Sequence, residues 1–214
     1  MIAFDEWEKS FYLTLAQQMF VVSCYNGKNA SEYQFEVTEE DRRILDNLVE
    51  TIHPNVFDGY EDKHIVPESK FYSLQKLSDK ELMFITYEGV KFSDKDDKCV
   101  NGTYAAVYPV TQDEFWKTYK NPFRGANQRR VLRLDAGDNI IELVSKHDIK
   151  DYLVRYLRKP RPIILVDMPE DSDVTVFNGE RNEQTCELDD MVHMKILDIA
   201  VNMALQRKSI GNKQ

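Results

Sequence analysis

Apolar residues recur every three or four places through residues 4–23. Phe4, Trp7, Phe11, Leu15 and Val22 lie along one side with Gln18, and Tyr12, Met19 and Phe20 sit beside them. That spacing predicts an amphipathic helix. Asp5 and Glu6 fall in its first turn, where the helix dipole favours anions, and Asn26-Gly27 supplies a stop. Its large aromatic residues belong in a core, or against a partner. A second helix is expected from Thr38, because Thr38-Glu39-Glu40-Asp41 resembles a capping box with Asp in the last place. Ile44, Leu45, Leu48, Val49 and Ile52 supply its apolar stripe, and His53-Pro54 ends it. Between 55 and 103 the pattern is weak. Asp58-Gly59 marks a turn, Ser78 can cap a short helix running into Leu82-Met83-Phe84, and residues 93–98 form a polar loop ending near Asn101-Gly102.

The second half is more regular. Thr103 to Val110 is rich in β-branched and aromatic residues and reads as a strand. Thr111-Gln112-Asp113-Glu114 is a capping box in front of Phe115, Trp116 and Tyr119, and Asn121-Pro122 closes that short helix. Residues 130–134 alternate, Ala136-Gly137-Asp138 turns, and 139–144 alternate again, which predicts a β-hairpin. Asp148 is placed to cap a helix running to Lys159, with Ile149, Tyr152, Leu153, Tyr156 and Leu157 on its inner face. Pro160 and Pro162 lead into a strand at 163–166, and residues 173–178 suggest another, turning at Asn178-Gly179. A last helix is expected from about Leu188 to Lys208 with two apolar stripes. Leu188, Val192, Ile196, Ile199 and Met203 form the first; Met194, Leu197, Ala200, Val201, Ala204 and Leu205 form the second. A helix apolar on two sides needs cover on two sides, and one cover can come from another subunit.

The expected class is α+β: an N-terminal helical part, then a small mixed β-sheet with flanking helices and a C-terminal helix. The expected division is 1–102, mainly helical with irregular loops; 103–208, in the order β-α-β-β-α-β-helix; and a flexible tail at 209–214.

Composition narrows the function. Charged residues reach 30% and the net charge is −9, which opposes binding to nucleic acid by the chain as a whole. The charge is uneven: residues 117–161 hold twelve Lys/Arg against five Asp/Glu. Such a belt is either a solvated face, a surface that meets an acidic neighbour, or a strip lining a DNA-filled channel. Cys24, Cys99 and Cys186 are odd in number and far apart, so no disulfide framework is expected. The opening Met1-Ile2-Ala3-Phe4-Asp5-Glu6-Trp7 lacks the basic and apolar regions of a signal peptide, and no window is apolar enough to span a membrane. Synthesis in a cytoplasm is expected.

No chemistry stands out. His53, His64, His147 and His193 have no metal-ligand spacing to one another or to a cysteine. Phosphate-cradling glycine loops and G-x-S-x-G are missing. No catalytic residue, cofactor site or metal site is therefore assigned. Interface candidates are Arg124, Arg129, Arg130 and Arg133, and the apolar residues Val192, Ile196, Ile199 and Met203. A small enzyme with an unrecognised carboxylate site, or a regulatory binding module, remains an alternative from another class.

The segments Tyr-Pro-Val-Thr-Gln-Asp-Glu-Phe at 108–115, Asn-Pro-Phe-Arg at 121–124 and Tyr-Leu-Arg-Lys-Pro-Arg-Pro-Ile-Ile-Leu at 156–165 are followed by Cys-Glu-Leu at 186–188. The helix with His193, Ile196-Leu197 and Ala200-Val201 comes next. This order, over roughly 104–205, resembles virion structural proteins of crAss-like tailed phages, particularly a neck ring protein next to the portal. The resemblance implies a head-to-tail connector: a homo-oligomeric, twelve-fold ring (a dodecamer) that meets the portal protein and other neck or tail rings. It further implies a ring that extends the DNA channel, contacts packaged DNA non-specifically and offers a platform for the tail. The implied location is the virion neck. Another virion component, a tail hub or cargo protein, is the nearest alternative.

Overall fold

The computed structural model describes residues 4–26, 39, 43–74, 81–93, 98–169 and 177–211. The chain divides into two compact units, one of residues Met1–Val49 with Lys159–Gln214 and one of Glu50–Arg158. The fold is mixed α+β, with an N-terminal helix, a seven-stranded mixed sheet and a C-terminal helix.

The first unit is built on α1 (Glu6–Tyr25) and α3 (His193–Gly211), which pack against each other. Asp5 caps α1: its carboxylate accepts from the Glu8 amide at 2.6 Å, and the Glu8 side chain accepts from the Asp5 amide at 3.3 Å. Two first-turn donors are thus satisfied. The buried face of α1 is rotated from the one that periodicity suggests. Tyr12, Ala16, Phe20, Val21 and Cys24 are covered, while Trp7 and Met19 stay exposed. The reason is a polar stripe, Ser10-Thr14-Gln17, that is also buried. Thr14 Oγ1 donates to the Ile163 carbonyl at 3.2 Å and accepts from the Ile163 amide at 3.1 Å. Ser10 Oγ accepts from the Leu165 amide at 3.1 Å, and Gln17 donates to the Arg161 carbonyl at 3.1 Å. Residues one turn apart on the helix therefore meet alternate residues of an extended chain and replace a neighbouring strand. Among the described residues, 163–166, expected as a strand, accordingly forms no ladder, and its one bridge is Ile164 to Gln184, with both amide–carbonyl bonds at 2.9 Å.

The second unit is the sheet. Its strands are β1 (Val49–Ile52, whose first residue belongs to the other unit), β2 (Ser69–Ser73), β3 (Leu82–Phe92), β4 (Tyr104–Pro109), β5 (Arg130–Gly137), β6 (Ile140–Val144) and β7 (Ile149–Arg158). The order is β1-β7-β3-β4-β5-β6-β2, with β4 and β5 parallel. The sheet curls until its edges approach: Val56, just past β1, bridges Tyr72 of β2, and the Tyr72 and Tyr152 rings stand 5.1 Å apart. Closure covers edges that would otherwise template aggregation. Alternate residues point inward, so Val90, Val107, Val131, Ile141, Tyr152 and Val154 share one core. The outer face of β5 and β6 carries Leu132, Leu134 and Val144, covered by Val66 and by Phe115 of the short helix α2 (Phe115–Tyr119).

Four further sequence expectations need correction. Residues 149–158 are a strand, not a helix. Ile149, Tyr152 and Tyr156 fit a helical spacing, but Tyr152, Val154 and Tyr156 equally fit alternation, and the long pairing of β7 with β3 decides the matter. Val49–Ile52 is likewise β1 rather than the end of a helix; helical backbone at 43–45 passes through a 3-10 turn at Asp46–Leu48 and stops. Leu82-Met83-Phe84 opens β3 instead of ending a helix. Thr111 does not cap α2, whose N-cap is Glu114 without a side-chain bond, because Thr111 and Asp113 bond to each other. The hairpin of β5 and β6 stands as expected. Asp138 (φ 51°) and Asn139 (φ 56°) turn it, both left-handed as a type I′ turn requires. The expected starts at Thr38 and Ser78, the polar residues 94–97, the strand at 173–176 and the end of the tail at 212–214 lie outside the described residues. The turn at Asn178-Gly179 is present, with φ of 54° and 82°.

Candidate functional site

Of the four candidate arginines, three lie on the surface and one is inside. Arg124 and Arg129 are exposed on the loop between α2 and β5. Two asparagine side chains hold that loop: Asn121 Oδ1 accepts from the amides of Phe123 (2.9 Å) and Arg124 (3.2 Å), and Asn127 Oδ1 accepts from the Arg129 amide (2.9 Å). Gly125 completes it, since a Cβ there would lie 2.7 Å from the Tyr119 carbonyl oxygen and 2.8 Å from that of Asn121. Arg130 stacks over the Tyr108 ring, 4.2 Å from its centroid, and donates to the Arg124 carbonyl at 3.2 Å. Lys91 lies over Tyr104 and Lys120 over Trp116. Cations thus alternate with exposed aromatic rings across this side of the sheet unit. Phe123, at 87% exposure, is the extreme case.

Arg133 points the other way, into the curled sheet. Its Nη1 lies 2.5 Å from Glu88 Oε2, and Tyr152 Oη donates to Glu88 Oε1. Burial pushes the Glu88 carboxyl up, against the pull of Tyr152 and Arg133. It also pushes the Tyr152 phenol well above its usual range, and Tyr72 up to about 12. Glu88, Arg133, Val107 and Ile141 line a cavity of about 820 Å³. A carboxyl of raised pKa in a cavity is what an acid–base enzyme would show. Here both Glu88 oxygens are already engaged by residues of its own fold, so the trio is a structural lock on the interior.

A second cluster imitates a nucleophile. Ser69 Oγ lies 2.8 Å from His64 Nδ1 and donates to Glu142, a buried carboxylate that also accepts from the Ile65 amide at 2.9 Å. The serine sits between the other two, is buried, and also reaches the Val66 carbonyl at 2.9 Å; a nucleophile needs the base between serine and acid. The cluster pins residues 64–69 over the outer face of β6. Among the described residues no group of three His, Cys, Asp or Glu side chains can hold a metal.

On α3 the two stripes have different fates. Val192 and Ile196 are buried within their own unit, with Ala200 and Ala204, and Ile199 and Met203 are half-covered. The exposed line is Met194, Leu197, Val201 and Leu205, extended by Met191 at 78% exposure just before the helix. The apolar surface open to a partner is therefore the second stripe without Ala200 and Ala204, which are buried with residues of the first. Nothing in periodicity separates the two; the small residues Ala200 and Ala204 mark the face that packs closely.

The described residues thus leave two surfaces open, the apolar line of α3 and the cation–aromatic side of the sheet unit. The whole chain, residues 1–214, matches the family described as phage tail ring protein 3/4, and it belongs to that family of phage ring proteins. It is 40% identical to ring protein 3 of Bacteroides phage crAss001 over 217 residues, covering all of this chain and 90% of the relative. It is 25% identical to ring protein 4/5 of the same phage, covering 94% of this chain and 82% of the relative.

Proposed function

We propose that the chain is a non-enzymatic virion component that closes into a twelve-fold ring in the neck, between portal and tail. The ring extends the DNA channel and presents a platform to the next ring. Membership of a ring-protein family supports the assembly, and the observation that carries it is a pair of unlike surfaces that the fold does not use. One is the apolar stripe of α3. The other is the cation–aromatic side of the sheet unit, where residues 115–134 contain no Asp or Glu at all. A closed ring uses heterologous contacts, in which one patch meets a different patch on the neighbour, and two unlike patches are what that geometry needs. Arg124, Arg129 and Arg130 belong to such a contact; Arg133 belongs to the interior lock.

The test is light scattering on the purified protein, alone and mixed with its cognate portal. A stoichiometric ring complex on mixing supports a portal-proximal position. A ring that forms with neighbouring ring proteins but never with the portal moves the protein down the tail. An unchanged small species in every mixture refutes the ring reading.

A further inference from the structure

The ring reading leaves open which surfaces meet, and the charge distribution answers it. Of the net charge of −9, the helical unit (1–49 and 159–214) carries 19 acidic against 11 basic residues, whereas the sheet unit carries 18 against 17. Within the helical unit, half of that excess of eight lies around the start of α3. Residues 180–198 hold Glu180, Glu183, Glu187, Asp189, Asp190 and Asp198 against Arg181 and Lys195. Asp190 and Asp198 are exposed beside the methionines of the uncovered stripe. From Met191 to Leu205 that stripe runs about 21 Å at the helical rise.

Resting on the ring reading, we propose that the exposed stripe of α3 in one copy docks on the 116–130 lobe of the next copy. Met191 and Met194 meet the exposed rings of Trp116 and Phe123, and Asp190 and Asp198 face Lys120 and Arg124. Flexible thioethers suit aromatic faces, and each apolar patch is rimmed by charge of the sign opposite to its partner's. The lobe is preorganised for this role: Asn121, Asn127 and Gly125 hold its backbone before any partner arrives, which lowers the entropy cost of docking. DNA is the rival occupant of the cations. It accounts neither for the bare Phe123 and Trp116 nor for the apolar stripe elsewhere on the chain.

The test uses the full chain assembled with the cognate portal and adjacent ring proteins, with rings scored by electron microscopy. A chain carrying both Phe123→Cys and Met194→Cys is treated with a short bismaleimide and run on a denaturing gel. Both positions are exposed, and unchanged melting confirms the fold. With the exposed Cys99 replaced by Ser throughout, the expected result is a ladder of covalent multiples that neither single variant gives. As a second arm, Lys120→Glu/Arg124→Glu should lower ring yield about tenfold, and adding Asp190→Lys/Asp198→Lys in the same chain should restore it. Rings without a ladder, or without rescue, overturn this contact and leave the ring reading intact. Wild-type ring yield from the Glu variants with loss of double-stranded DNA binding assigns the lobe to DNA instead. Failure of the wild type to form rings with any partner removes the ring reading and the contact with it.

Discussion

Replacing Arg133 by Met tests the interior lock and separates it from any role in assembly. The guanidinium lies 2.5 Å from Glu88, and the two side chains are only 12% and 6% exposed. At that distance the gross attraction is about 7 kcal/mol for an effective dielectric of about 20, most of it offset by the cost of taking both charges out of water. Removing one partner leaves the desolvated carboxylate behind, which costs about 3–5 kcal/mol. The Asp135 contact, at 3.4 Å to a well-exposed carboxylate, adds about 0–1 kcal/mol. The loss must depend on pH. The folded Glu88 carboxyl titrates above its unfolded value of 4.5, so its contribution to stability is present at low pH and is lost as pH rises through the raised folded value. Without Arg133, one of the influences holding that value down is gone and the window extends further upward. Urea melts from about pH 4 to about pH 8 should therefore show Arg133→Met nearly as stable as wild type at the acid end and furthest below it at neutral pH. Glu88→Gln with Arg133→Met should recover most of the loss. A deficit under about 1 kcal/mol at neutral pH, or one that does not change with pH, refutes the reasoning. A stable Arg133→Met that fails to form rings would put Arg133 at an interface instead.

Gly125→Ala should cost about 1–3 kcal/mol by thermal melting, because the new Cβ meets two backbone oxygens that cannot swing aside; it should also weaken ring formation by displacing Phe123 and Arg124. Thr14→Val leaves the buried amide and carbonyl of Ile163 without their partner hydroxyl, and should cost about 1–3 kcal/mol in urea melts, with protection from hydrogen exchange falling first at 161–165. Asn139→Val puts a β-branched residue at a φ of 56° and should cost about 1–3 kcal/mol, whereas Asn139→Gly should melt at or above the wild-type temperature.

What could be read from the chain follows the range of the interactions. The hairpin at 130–144 was legible because its turn residues and its alternation are local and agree. The first and last helices were legible because each is long and periodic. The strands at 49–52 and 149–158 were not. Their sequences satisfy helical and extended spacing equally well, and the choice is made by pairing with partners far along the chain: β7 beside β3, and Glu50 beside Arg158 at 3.3 Å. Glu88 and Tyr152 lie 64 residues apart, so nothing in either neighbourhood announces that Arg133 is the third member of a buried trio.

The buried polar stripe on α1 carries a signal in its composition. Ser10, Thr14 and Gln17 fall at the first, fifth and eighth places of a helical row, and a row of small or amide side chains in a helix rich in aromatic residues has two meanings. It is a solvated face, or it is a hydrogen-bonding edge for an extended segment. Solvation predicts a charged residue somewhere in the row, as on the outer faces of most helices; this row has none. The same test applies to α3, where the face that packs inside is Val192, Ile196, Ala200 and Ala204, and the bulkier line of Met194, Leu197, Val201 and Leu205 is left outside. Single exposed apolar residues are ordinary, but four large ones aligned over about three turns make a patch, the usual mark of an interaction surface. If the proposed contact between copies forms, this outer line is the surface it covers, while Ala200 and Ala204 let the inner face pack closely.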